Sequence, residues 1–470
     1  QTFRFNHLAG VTRFKFKDVP AGVNKFTITL DKKINGTFAA DLTADYPVIE
    51  TSSSSTASEK TITLNFNALT AKSDICVYVP LPIGTYNSLE LGLYDDGQSV
   101  WTYSKAVTNT VNRKSLKLMP VVTIGGSVGG DLEGGGASIV NLSENGTANS
   151  YIVSAAGTYK FTPTKGNSSE SVGSIASAVV LWETFGTDVI PNVGDLVKNV
   201  KYENGVISFE TPSAYKEGNA VIAAKDVNGN ILWSWHIWLT DQPEEQEYFN
   251  NAGTVMDRHL GATSATPGDI ETFGLLYQWG RKDPFLGSSS KSEGVIALST
   301  LQEWPFKNAD DLIDGSLQFS IANPTTFIGG RGDWRSGDDI IYWTSSESPK
   351  AIYDPCPPEW RIPDGCAGNN ITYGLWGEAA GNSRDINGVP DNVNMGVNFG
   401  NILGSSSIIW YPICGMRGYG SGNMIYSSEY GDVWSVTPQG PSVLEVYKTG
   451  ATIYPTKTTS PAKAIRCVRE

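Results

Sequence analysis

Only 18% of the 470 residues are charged, acids outnumber bases to give a net charge of −13, and no basic run gathers anywhere. Nucleic acid or an anionic membrane surface would be repelled by such a chain, which excludes both as expected partners. Histidine is scarce: His7, His236 and His259 lie far apart and none falls in an H-E-x-x-H motif, so no metalloprotease helix is readable. No C-x-x-C occurs among the five cysteines, which removes zinc-ribbon and thioredoxin-type readings. No apolar run reaches membrane-spanning length, and neither a signal peptide nor a lipobox is present. The chain opens at Gln1 and is read as a mature or trimmed form.

What is abundant points outward. Fifty glycines, 11% aromatics and many Ser, Thr and Asn suit exposed β-domains with many turns, and the charged fraction is below the usual quarter or so. The length predicts about three domains. Cys356, Cys366, Cys414 and Cys467 cluster in the last third and read as two disulfides of an oxidising compartment, with three connectivities open. Cys356–Cys467 with Cys366–Cys414 is the preferred set. Three prolines hold Cys356 in the stiff segment Tyr353-Asp354-Pro355-Cys356-Pro357-Pro358-Glu359-Trp360, with Trp360 as an apolar anchor. A bond from there to Cys467 closes a loop of about 110 residues and stabilises the fold by about 4 to 5 kcal/mol. Cys76, in the alternating Ile75-Cys76-Val77-Tyr78-Val79, is expected to be a buried small hydrophobe.

Residues 1–122 read as a β-sandwich. The segments from Lys25 to Leu30, Thr61 to Phe66 and Ser88 to Leu93 alternate with period two, and Asp95-Asp96-Gly97 is a tight-turn signal. Thr51 to Ser58 is Ser/Thr-rich and reads as a mobile loop. Residues 123–138 carry seven glycines and form the clearest linker. The formal G-x-S-x-G at Gly125 to Gly129 lies inside it, where no strand-to-helix elbow is expected, so it carries no hydrolase reading. Residues 139–245 form a second β-unit, with a type I′ hairpin expected at Asp226 to Asn230. On the strand after it, Trp233 and Trp235 share one face and His236 and Trp238 the other, which makes His236 a packed or interdomain histidine.

A short acidic linker, Gln242 to Glu247, leads to residues 248–470, which read as an α+β domain rich in loops. A helix is expected after Thr266-Pro267-Gly268-Asp269, where Ile270, Phe273 and Tyr277 follow, and a weaker one at Tyr373 to Ala380. Short strands are expected at Ile340 to Thr344, Val433 to Val436 and Val443 to Val446. Asp310-Asp311 and Asp338-Asp339 read as solvated turns, and Arg331-Gly332-Asp333 as a chance match to an integrin-type triplet. The stretch from Asp385 through Asp391, Asn392 and Asn394 offers the oxygen ligands calcium takes, but lacks a closing Glu and reads first as an Asx-rich loop. Trp410, Tyr411, Tyr419 and Tyr430, which with Trp334 and Trp376 mostly sit near glycines rather than in clean strands, are the aromatics proposed for ligand stacking.

Four blocks then resemble one family. Met256 to Thr263, Gly274 to Phe285, Tyr353 to Pro363 and Ile465-Arg466-Cys467-Val468 look like the Fibrobacter succinogenes major paralogous domain, which in gut Bacteroidales often ends fimbrillin-type surface proteins. The resemblance implies a C-type-lectin-like fold for residues 248–470. Ile34-Asn35-Gly36-Thr37-Phe38 and Tyr78 to Tyr86 make the first domain similar to fimbrillins, and residues 139–245 resemble an Ig-like module that accompanies such C-terminal domains. The implied protein is exported, associated with the outer membrane, and non-enzymatic: a fimbrial subunit, at or near a tip, that joins other subunits by strand donation and binds a host or microbial glycan or protein. A surface lipoprotein that captures polysaccharide for uptake is the alternative. An enzyme of the related sulfatase-activating fold rests on analogy alone.

Overall fold

The computed structural model describes residues 9–38, 57–111, 116–119, 122–124, 139–248, 253–289, 300, 304–312, 316–335, 342–365, 375–376, 385–386, 388–399, 409–438 and 440–470. Within it the chain is mainly β and divides into two compact units, 1–140 and 141–470.

The first unit follows its alternation. Strands β1 (Gly10–Val19), β2 (Lys25–Leu30), β3 (Thr61–Asn65), β4 (Ser73–Leu81), β5 (Gly84–Asp95), β6 (Gln98–Val111), β7 (Leu116–Leu118) and β8 (Val122–Thr123) form two sheets. One runs β4-β1-β7 with β8 also on β1, and the other β3-β2-β5-β6. Every second residue of β2, namely Phe26, Ile28 and Leu30, is buried against Phe14 and Phe16 of the facing sheet, and the Phe14 and Phe26 rings stand 5.6 Å apart. Asp96 (φ 42°) and Gly97 (φ 88°) make the two-residue hairpin that the sequence signals. Cys76 corrects its expectation: on β4 it points away from the core and is exposed. Residues 51–56 and the glycine run 125–138 lie outside the described residues, apart from which Ala57–Lys60 forms a 3-10 turn.

In the second unit, β9 (Ile139–Asn141), β10 (Ser150–Val153), β11 (Thr158–Phe161), β12 (Ser177–Thr184), β13 (Lys198–Glu203), β14 (Val206–Glu210), β15 (Gly218–Lys225) and β16 (Ile231–Leu239) make two four-stranded sheets, β10-β16-β15-β12 and β13-β14-β11-β9. They close on one core in which Phe161 from one sheet meets Trp235 from the other at 5.2 Å. The β15–β16 turn is not type I′. Gly229 alone is left-handed (φ 86°), the Gly229 N–H donates to the Asp226 carbonyl, and the Asp226 carboxylate takes the N–H groups of Asn228 and Asn230. That carboxylate organises a three-residue loop, which a two-residue I′ turn would leave without those donors.

The two sides of β16 behave as the alternation predicts. Trp233 and Trp235 pack into the sandwich core, while His236 and Trp238 meet residues 256–283. Trp238 Nε1 donates to the Ala262 carbonyl (2.9 Å) and Asn219 Nδ2 to the Gly261 carbonyl (2.8 Å). Asn149 Nδ2 donates to the carbonyls of Ile352 (2.7 Å) and Asp354 (2.8 Å). Gly166 lies so close to the Ile352 carbonyl that a Cβ would stand 2.0 Å from its oxygen. The expected acidic linker is also absorbed: Glu245–Glu247 is a strand on Thr254–Met256.

The last part of the chain is short strands joined by long turns. Cys356 and Cys467 are bonded, closing 111 residues, and beside the bond the strands Trp360–Arg361 and Val468–Arg469 pair. Cys414 corrects the second expected pairing, because it is a buried free thiol; burial pushes it up to about 12. Its expected partner Cys366 lies outside the described residues. The helix expected after Asp269 is a single 3-10 turn, Ile270–Thr272, ended by left-handed Gly274 (φ 69°), and Leu275–Gln278 is a strand. The one α-helix among the described residues is Ser316–Ala322, which the sequence reading did not expect. Tyr342 to Thr344 form no strand, and of 373–380 only Leu375 and Trp376 are described, in a turn. The expected strands at 433–436 and 443–446 form the hairpin Tyr430–Thr437 and Gly440–Tyr447.

Irregular backbone leaves carbonyls without ladder partners, and buried side chains supply the donors. Arg466 donates to the carbonyls of Met256 and Trp410 and to Gln246 Oε1. Arg417 serves Leu286 and Gly422, and Arg281 serves Thr326. Trp334, Trp343 and Trp434 each spend their indole N–H on a carbonyl.

Candidate functional site

The aromatics proposed for ligand stacking part company. Trp410 and Tyr411 are core residues, which corrects that assignment: both are buried in a strand, Trp410–Pro412, covered on its two faces. Tyr411 stacks under the Arg466 guanidinium (4.3 Å) and against Phe399 (5.3 Å). Trp334 and Trp376 are likewise fully buried. Tyr419 and Tyr430 are exposed, at 46% and 38%.

Around Tyr430 a tyrosine ledge forms. Tyr430 opens the strand Tyr430–Thr437 and faces Tyr447 across the ladder, with ring centroids 6.3 Å apart. Tyr426 adds a third ring at 5.5 Å from Tyr430, edge to face, and neighbouring Ile425 is exposed as well. The loop is strained: Tyr426 (φ 59°) and Ser428 (φ 66°) occupy the left-handed region, where a non-glycine residue costs about 1 to 2 kcal/mol. The turn is held because the N–H groups of Glu429 and Tyr430 both donate to the Tyr426 carbonyl. The Tyr419 carbonyl is tied to the Gly330 N–H, 2.7 Å away. Flat, half-apolar rings with a phenolic edge suit the C–H faces and hydroxyls of a sugar, or the rim of a protein partner. Tyr426 and Tyr447 were missed in sequence. Treating Thr437 to Gly440 as a two-residue hairpin would have set Tyr447 opposite Tyr430.

Asp391, Asn392 and Asn394 belong to a different hairpin, Val389–Asp391 with Gly396–Asn398. Partial burial disfavours the Asp391 carboxylate, but hydrogen bonds from Asn394 Nδ2 (2.7 Å) and from the N–H groups of Asn394 and Val393 outweigh it and hold the carboxyl below its ordinary range. Its oxygens are committed to an Asx turn. Among the described residues no group of three His, Cys, Asp or Glu is placed to hold a metal ion.

The other motifs resolve into structure. Arg331 donates to the Asp333 carbonyl and pairs with Asp310 (3.2 Å), while the Asp333 carboxylate takes Arg335 and Thr459, so both side chains of the triplet are engaged by neighbouring residues. Asp311 pairs with Lys307; Asp338 and Asp339 lie outside the described residues, as does His7. His236 is fully buried between Asn219 (2.9 Å) and Ser150 (3.1 Å), near the Tyr277 hydroxyl, and burial lowers it to about 3. His259 is lowered to about 3 by burial and by Arg466. Both are neutral packing groups at physiological pH. No helix among the described residues is long and apolar enough to cross a membrane.

The chain matches no protein-family model and no curated protein. Among solved structures it is similar to two titin fragments, a mutated three-Ig-domain structure at 13% identity and an I-band fragment at 12%. Each likeness covers 50% of this chain and 65% of the titin fragment, so the chain spans about two thirds of its length, and at a TM-score of 0.13 it carries no argument.

Proposed function

We propose that the protein is a non-enzymatic fimbrial subunit, placed at or near a filament tip, whose residues 248–470 form a C-type-lectin-like adhesive domain. The observation that supports adhesion is the ledge of Tyr426, Tyr430 and Tyr447: Tyr426 and Tyr430 are exposed at the two ends of a strained turn and half-buried Tyr447 backs them from the facing strand of a buried β-hairpin. Backbone strain maintained for exposed rings gives no stability in return, and such strain clusters at functional sites. Strand donation finds a candidate acceptor in β4. Among the described residues it edges its sheet, nine residues long, and an unpaired edge accepts an added strand.

Immunogold electron microscopy with antibody to 248–470 tests the placement. Label at filament ends is the expected result; label spread over cells without filaments overturns it in favour of polysaccharide capture by a surface lipoprotein. Tyr426→Ala with Tyr430→Ala tests the ledge: adhesion falls about tenfold or more, as for loss of interface aromatics, with stability unchanged within about 0.5 kcal/mol. Adhesion unaffected by the double substitution removes the ledge from the reading.

A further inference from the structure

A second feature lies away from the ledge, in a cleft of about 690 Å³ where the 141–245 sandwich meets the Cys356 segment. Its volume falls within the roughly 300–1,000 Å³ of small-ligand sites. Asn145, Thr147 and Asn167 line it from the sandwich, and Lys350, Glu359 and Arg469 from the other wall.

Glu359 is the telling residue. The turn Pro357-Pro358-Glu359-Trp360 is closed by the Trp360 N–H on the Pro357 carbonyl, and Glu359 sits in it at φ 68°, a conformation that suits glycine. Glycine would make the same turn without strain and would keep the carbonyl that accepts the Glu470 N–H. Only the side chain distinguishes the two. That side chain is half exposed and stands 3.5 Å from Arg469. Exposed ion pairs contribute little stability, so the strain has no structural return.

The charges in the cleft narrow the ligand. Arg469 is flanked by Glu359 and by Glu245 (3.7 Å), and Lys350 is committed to the carbonyls of Cys356 and Pro357 and to Glu470 (3.5 Å). Each cation in the lining already has a carboxylate, which disfavours an anionic ligand, and the polar walls disfavour an apolar one. Carboxylate, guanidinium and amide groups set side by side offer acceptors and donors together, the pattern that adjacent hydroxyls of a neutral sugar satisfy. We propose that this cleft binds a neutral carbohydrate, with Glu359 and Arg469 as the pair that reads its hydroxyls. The proposal deepens the adhesive reading and rests on it only for the role of the bound glycan.

The test measures binding of the full chain to immobilised mannopentaose, cellopentaose and lacto-N-tetraose, for the wild type, Glu359→Gly, Arg469→Ala and Tyr430→Ala. At least one oligosaccharide binds the wild type, and Glu359→Gly weakens it by about tenfold or more, the loss expected for a charged hydrogen-bonding group, while its melting temperature holds or rises. Arg469→Ala weakens the same oligosaccharide, and Tyr430→Ala leaves it bound. Absence of binding to all three, or binding that survives Glu359→Gly, overturns the cleft. Loss on Tyr430→Ala with Glu359→Gly unaffected also overturns it, yet leaves the ledge and the adhesive reading standing. Filament labelling fails or succeeds independently of any of these results.

Discussion

The two compact units are held by different means. In residues 1–140 the core is aliphatic and phenylalanine-rich, and long paired strands satisfy the backbone. In the last part of 141–470 strands are short, and buried Arg281, Arg417 and Arg466 with several indoles take up carbonyls that no ladder reaches. Regular pairing makes a unit tolerant of polar change at its surface. A loop-built unit concentrates its stability in a few donors, each serving several acceptors, and gains irregular surface on which a ligand face can be shaped.

Substitutions can break that contrast, beginning with the largest expected effect. Arg466→Leu leaves the Met256 and Trp410 carbonyls without this donor and removes one hydrogen bond from Gln246. At roughly 1 to 3 kcal/mol for each of the two orphaned carbonyls, with the lost Gln246 hydrogen bond adding about 1, the loss is about 5 kcal/mol. Urea unfolding followed by tryptophan fluorescence checks it; a loss below about 1 kcal/mol would show that water replaces the guanidinium. Cys467→Ser opens the 111-residue loop and costs about 4 to 5 kcal/mol on the entropy account. The same variant compared under reducing conditions should show no further change, since among the described residues no other disulfide is formed.

Phe26→Ala, in the first unit, removes a ring that packs on both Phe14 and Phe16 and costs about 3 to 5 kcal/mol. Calorimetry should place that loss in the transition of residues 1–140. By contrast, Tyr78→Ala on the outer face of β4 should change stability by no more than about 0.5 kcal/mol.

One effect is graded by pH. His236 and His259 titrate near 3 in the fold against 6.5 for a free side chain, so between those values the unfolded chain binds more protons. Stability is therefore complete above about pH 6.5 and falls as pH drops, by about 1.4 kcal/mol per histidine for each unit once below it. Glu183, Glu217, Asp354 and Glu445, all held above their ordinary range chiefly by burial, gain stability on protonation and oppose the trend as pH falls. Replacing His236 by Gln should lower the slope in denaturant midpoint against pH; an unchanged slope would show that another group carries it.

Legibility followed the same division. The β2 and β5 alternation, the Asp96-Gly97 turn and the opposed faces of Trp235 and His236 were readable because a strand's period is a local property. So was the Cys356–Cys467 pairing, preferred from the proline-stiffened segment and the chain's end. Trp410 and Tyr411 were misread because the short stretch that carries them, between Gly404 and Gly415, looks like a loop, and the burial of their strand on both faces depends on Phe399, Trp376 and Arg466 arriving from elsewhere. Cys414 was misread as half of a disulfide because the core that buries it as a free thiol is assembled from residues distant in the chain. The Ile270 to Tyr277 spacing suggested a helix, but left-handed Gly274 turns the chain into a strand.

By itself, then, the sequence determined the β character, the acidic surface, the alternating faces of the sandwiches and one covalent closure, all set by local periodicity, composition and spacing. The tertiary structure alone decided which aromatics face water, that the middle sandwich and the last segment form one compact unit, and that Glu359 and Tyr426 adopt backbone conformations a side chain resists. Those outcomes depend on groups distant in the chain meeting in space, where burial and hydrogen-bond supply rather than local preference set the free energy.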